Sequence, residues 1–194
     1  MRHLVAWVCL AGLVAHAREA HAGGSGRGAD EPEGKHHLGL GAGLSILKVD
    51  DKTTHSIGPG LALHYAYQIT DALRFIGEGT SFIVAKDEDK GPEIPHTRPT
   101  RVDTFGLGMG YVLDITRKWV PYGGVMATGT ALTGGTLDNA VLAFGVQLAV
   151  GVDYMLTSHF AIGFAFRQHL LLTKMSTYTS YYAGFLRAEF VWGK

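Results

Sequence analysis

Residues 38–46 read Leu-Gly-Leu-Gly-Ala-Gly-Leu-Ser-Ile, with Leu38, Leu40, Ala42, Leu44 and Ile46 on one parity and Gly39, Gly41, Gly43 and Ser45 on the other. Successive side chains of a strand point to opposite faces, so this segment has one apolar face and one face almost bare of side chains. A helix is excluded, because each interior Gly would weaken it by about 1 kcal/mol relative to Ala. The alternation returns at once. Ile57, Leu61, Leu63, Tyr65, Tyr67 and Ile69 oppose Ser56, Gly58, Gly60, Ala62, His64, Ala66 and Gln68. Further runs over residues 73–86, 102–113, 119–130, 140–154, 159–173 and 178–193 bring the predicted strands to eight. The third run changes phase, since Phe82 and Val84 share parity with Arg74 and Glu78, and a bulge near Thr80-Ser81 is expected to restore it. The fifth run is mixed on both parities.

Such strands are longer than the five or six residues usual in a soluble sandwich and suit membrane strands of roughly 9–11 residues with extensions. The gaps between them alternate in length. Those at residues 49–55, 87–101, 131–139 and 174–177 are mostly long and polar, whereas those at 70–72, 114–118 and 155–158 are short. Long extracellular loops alternating with short periplasmic turns is the pattern of an outer-membrane barrel. The aromatics agree. Tyr65, Tyr67, Phe75, Tyr111, Trp119, Tyr122, Tyr154, Phe160, Phe190 and Trp192 all fall near a short turn or the last strand's end, and are expected to form a periplasmic aromatic girdle. Phe82, Phe105, Tyr178 and Tyr182 are expected to form a sparser opposite belt. The fold class expected is therefore all-β, an eight-stranded antiparallel up-and-down transmembrane β-barrel over residues 37–193.

The composition fits. The 194 residues carry 17 Lys+Arg against 17 Asp+Glu, which excludes capture of nucleic acid by a basic excess. With 27 Gly, usage is about twice the roughly 7% average. At the N-terminus, Met1-Arg2-His3 is followed by the apolar run 4–15 (LVAWVCLAGLVA), then by two small-residue sites, Ala15-His16-Ala17 and Ala20-His21-Ala22. Residues 1–22 are thus read as an export signal peptide cleaved after Ala22, with Cys9, the one cysteine, inside it. Residues 23–36 (GGSGRGADEPEGKH) read as a flexible linker. His36-His37 have no third ligand at a useful spacing and mark a solvated boundary, so no metal site is expected.

With these segments in place, the chain resembles the small eight-stranded outer-membrane barrels of the OmpX and OmpA-transmembrane-domain type. The likeness is carried by residues 67–75 (YQITDALRF), 119–124 (WVPYGG), 145–154 (GVQLAVGVDY) and 184–192 (GFLRAEFVW). It implies an outer-membrane location, lipid and lipopolysaccharide as surroundings, the barrel-assembly machinery as a partner during insertion, and a monomer without cofactors. Family members commonly finish on an aromatic residue; here Trp192 is followed by Gly193-Lys194.

With the apolar parity facing lipid, the lumen receives His64, Gln68, Arg74, Glu78, Gln147, Asp153, Arg167, His169, Arg187 and Glu189. Pairing about Asp71 sets Gln68 opposite Arg74 and His64 opposite Glu78; pairing about Leu156 sets Asp153 opposite His159. Eight strands leave a lumen that side chains fill, so no large pore is expected. Some barrels of this kind are lipid A modifying enzymes that use a His-x-Ser pair. Here His169 is followed by Leu170-Leu171, His55-Ser56 point to opposite faces, and no catalytic residue is assigned. Gly106-Leu-Gly-Met-Gly110 lacks the spacing of a nucleotide-binding loop and reads as a strand with inward glycines. The function expected is structural, adhesive or surface-interacting, with the loop 87–101 (DEDKGPEIPHTRPTR) as the foremost contact region. The competing readings are a lipid A modifying enzyme and a soluble, lipocalin-like ligand-binding barrel. The last of these leaves a regular apolar face in water.

Overall fold

A computed structural model of the chain describes residues 33–49, 54–84, 99–113, 118–135 and 137–193. The signal segment 1–22, most of the linker and most of the loop 87–101 lie outside these residues. Eight strands run β1 (His36–Val49), β2 (Thr54–Gln68), β3 (Leu73–Ile83), β4 (Arg101–Val112), β5 (Trp119–Thr133), β6 (Val141–Met155), β7 (Phe160–Leu170) and β8 (Tyr178–Trp192). Each is antiparallel to its sequence neighbours, and β1 pairs with β8 to close the barrel. Closure leaves no free sheet edge, which a lipid environment demands.

The wall has two faces. Leu40, Leu61, Leu186 and Ile83 are each 68–71% exposed on the outside, along with Leu44, Phe105, Leu142 and Phe144. The inward parity is buried. Two short turns share one device: Thr70 Oγ1 accepts from the Leu73 amide at 3.0 Å, and Thr157 Oγ1 accepts from the His159 amide at 3.2 Å. A threonine hydroxyl thereby satisfies turn amides that the ladder leaves over.

Glycine allows the sharp coiling. A methyl group on Gly43 or Gly145 would overlap the carbonyl of Gly184 or Leu170 on the adjacent strand, so the backbones approach where only hydrogen fits. Gly39 and Gly106 instead give way to side chains, those of Glu189 and of Thr128 and Gln147.

Several expectations are corrected. The ladder of β3 runs without a bulge past Thr80-Ser81, and Phe82 and Val84 point inward on the parity of Glu78. The phase change came from an apolar upper interior. Strand β7 ends at Leu170, after which Leu171 is buried and residues 172–174 form a 3-10 turn. Asp153 pairs with Gly163, because the amides of Leu156 and Thr157 both bond the Phe160 carbonyl and the turn occupies residues 156–159. Gln68↔Arg74 and His64↔Glu78 pair as expected. The strand also begins one residue early. His36 is in β1, stacked on Trp192 at 5.4 Å, and His37 turns inward to within 3.2 Å of Glu189, so the pair is no solvated boundary.

Candidate functional site

The inward positions of β2, β3, β6, β7 and β8 place all ten polar residues His64, Gln68, Arg74, Glu78, Gln147, Asp153, Arg167, His169, Arg187 and Glu189 in buried positions. Nine of them meet in one belt. Arg167 Nε donates to both Glu78 oxygens at 2.9 and 3.2 Å, and Arg167 Nη2 donates to Oε2 at 2.7 Å. Gln147 Nε2 donates to Glu78 Oε1 at 3.0 Å. Arg187 reaches Asp153 Oδ1 at 2.7 Å and lies 2.8 Å from Glu189 Oε1 through Nε. Arg74 lies 3.5 Å from Asp153 Oδ2, and its Nε donates to Gln68 Oε1 at 3.0 Å. The His64 ring sits between Glu78 and Glu189, 3.4 and 3.6 Å away.

Three arginines thus face three carboxylates among the described buried residues. The balance is needed, since an uncompensated buried charge costs several kcal/mol. The belt has a centre that the parity of β5 supplies. Tyr122, placed in the girdle on its nearness to a turn, is instead buried on the parity of Met126, Thr128 and Thr130. Its ring lies 4.9, 5.6 and 5.8 Å from the guanidinium carbons of Arg187, Arg74 and Arg167, and its hydroxyl accepts from Arg167 Nη2 at 3.2 Å. Guanidinium groups favour the face of an aromatic ring. Counting by twos from Thr128 locates Tyr122; distance from the turn does not.

Towards the long-loop end the interior becomes apolar. Leu47, Phe82, Val84, Val102, Leu132, Leu171, Tyr178, Tyr181 and Phe185 cluster there. Phe82 packs edge-on to Tyr181 and against Phe185, with ring centroids 5.9 and 5.4 Å apart. Tyr178 reaches this cluster because the β1–β8 register skips Thr179. Phe82 and Tyr178 therefore leave the expected outer belt, of which Phe105 and Tyr182 remain on the outward face. His169, the tenth residue, stacks on Tyr181 at 4.2 Å inside the barrel. That position faces the lumen rather than lipid. No cluster of three or more His, Cys, Asp or Glu suited to a metal ion occurs among the described residues.

At the short-turn end, Tyr65, Tyr67, Phe75, Tyr111, Trp119, Tyr154, Phe160, Phe190 and Trp192 lie on the outward parity of their strands. Trp119 contacts Tyr154 at 4.8 Å and Phe190 stacks on Trp192 at 5.7 Å. His36 completes the seam, with Nδ1 2.9 Å from the Tyr65 hydroxyl.

A closed up-and-down barrel with an apolar exterior, an aromatic end and loops sorted by length is an outer-membrane β-barrel protein. Residues 7–192 match the family described as "Outer membrane protein beta-barrel domain", and the chain belongs to it. Among solved structures it is similar to Neisserial surface protein A, with a TM-score of 0.60 and 18% identity over 84% of this chain and 100% of that one. OprG of Pseudomonas aeruginosa gives 0.59 and 13%, over 84% of this chain and 97% of that one. Ail, the attachment invasion locus protein of Yersinia pestis, gives 0.57 and 16%, over 82% and 99%. These likenesses concern the fold. No curated protein sequence matches the chain.

Proposed function

We propose that this outer-membrane protein is a non-catalytic monomer with a side-chain-filled lumen, which acts through its long-loop end on molecules at the cell surface. The observation that carries the reading is the stacking of the Arg–carboxylate belt beneath the apolar cluster of Phe82, Tyr181 and Phe185. Interior groups matched to one another in this way favour a fixed wall over a passage, leaving the loops as the working surface. The loop 87–101, with acidic, basic and histidine side chains, is the foremost candidate for adhesion or lipopolysaccharide contact. Ail has been crystallised with the heparin analogue sucrose octasulfate. That finding belongs to Ail and illustrates the class of partner to assay. Residues 1–22 serve export, and the barrel-assembly machinery inserts the chain.

The test is surface display of the full chain and of a variant lacking residues 87–98. Cells carrying the full chain should bind matrix- or glycosaminoglycan-coated surfaces, the deletion should abolish binding, and both should show heat-modifiable migration. Lipid A mass spectra should be the same with and without expression. An altered acyl pattern would support the enzyme reading instead.

A further inference from the structure

On the lipid-facing wall near the long-loop end, β4, β5 and β6 enclose a depression of about 290 Å³, walled by Phe105, Leu142 and Phe144 and floored by Gly129 and Ala131. Register explains its shape. Phe105, Gly129 and Phe144 form one cross-strand row, and Asp103, Ala131 and Leu142 the next. The two phenyl groups, 60% and 63% exposed, rise from the strands flanking β5, whose backbones stand two strand spacings, roughly 10 Å, apart, and the Phe144 ring leans towards Gly129. The floor beside them carries a methyl at Ala131 and a hydrogen at Gly129, the latter flanked by the Phe144 ring. The result is an apolar trough over β5. Above it, Arg101 stands on the same outward parity with its side chain 58% exposed, and its Nε lies 2.8 Å from Asp103 Oδ2.

We propose that this trough seats one acyl chain of a phosphorylated, multiply acylated glycolipid of the outer leaflet, of the lipid A class, with Arg101 on its phosphate. The inference rests on the outer-membrane reading, which immerses this wall in hydrocarbon and so decides that an acyl chain covers it. Position selects the lipid. The trough lies near the long-loop end, on the side of the outer leaflet. A guanidinium at the head of an apolar slot suits a phosphate, which it can engage through two N–H groups while Asp103 holds Nε. The small floor matters because bulkier residues would lift the chain off the wall.

The probe is bisphosphorylated lipid A, titrated against the full chain folded in detergent and followed by native mass spectrometry. Wild type should retain one lipid A in preference to phosphatidylglycerol. Gly129→Leu should weaken retention about tenfold, the equivalent of about 1.4 kcal/mol. This variant should fold, because a Cβ at Gly129 meets nothing nearer than the Phe144 ring at 3.7 Å. Arg101→Gln should weaken it several-fold and erase the preference for phosphorylated over dephosphorylated lipid A. Folded Gly129→Leu that binds like wild type, or equal competition by phosphatidylglycerol, overturns the proposal. Heat-modifiable migration of the same samples separates the two levels: a wild-type chain that never folds in detergent contradicts the barrel itself, and the trough with it.

Discussion

Arg167 on β7 grips both carboxylate oxygens of Glu78 on β3, with its closest contact at 2.7 Å. In a ring of eight, β3 and β7 stand on opposite walls, so this pair spans the interior and joins residues that are 89 apart in sequence. Glu78 also accepts from Gln147 and lies beside His64, which makes its carboxylate the point where four strands meet.

Removing one partner of this pair should cost more than removing both. Glu78→Gln leaves Arg167 buried without its counter-charge and should destabilise the barrel by about 3–5 kcal/mol. The double variant Glu78→Leu/Arg167→Met should recover a large part of that loss. Urea unfolding in lipid vesicles measures both, and an additive double variant would contradict a coupled pair.

Tyr122 gives a second, graded test. Tyr122→Phe keeps the ring among Arg74, Arg167 and Arg187 and loses only the hydroxyl bond to Arg167, a cost of about 1 kcal/mol. Tyr122→Ala should cost about 3–5 kcal/mol, as for other buried aromatics. A residue of the outer girdle would show no such gap between the two substitutions.

Strand number, connection pattern and most of the division into lipid-facing and inward residues were legible in the sequence, because a period of two recurs over most of the eight runs and the gaps between them alternate in length. The misplacing of Phe82 and Val84 followed from the assumption that the inward face is polar throughout, whereas the Asp153 pairing missed because the turn occupies residues 156–159. Phe82 and Val84 carry the inward parity in the sequence itself and need no bulge, and Tyr122 follows the parity of β5 rather than its distance from a turn. Phe82 and Val84 point inward into the apolar cluster at the long-loop end, whereas Tyr122 points inward to set its ring among the guanidinium groups of Arg74, Arg167 and Arg187. The partners across the lumen, such as Glu78 and Arg167, follow from the tilt and closure of the sheet, and nearest-strand pairing does not reveal them.

The outward leucines distinguish lipid from water. Leu186→Lys, at a position 71% exposed in the middle of β8, should destabilise the protein in vesicles by about 2–4 kcal/mol. Unfolding titrations in bilayers measure it. A gain or no change would mean that this wall meets water.

Gly145 tests the close approach of β6 and β7. Gly145→Val sets a branched side chain against the Leu170 carbonyl and should prevent folding in detergent, while Gly79→Ala, where a Cβ meets nothing within 4 Å, should fold normally. Electrophoretic mobility with and without heating reports both.

The most direct measurement is single-channel recording of the refolded wild-type chain in planar bilayers. The proposed filled lumen, with the Arg–carboxylate belt and Phe82, Tyr181 and Phe185 inside the barrel, predicts insertion without stable conductance steps. Long-lived, uniform steps from the wild-type protein would contradict a filled lumen.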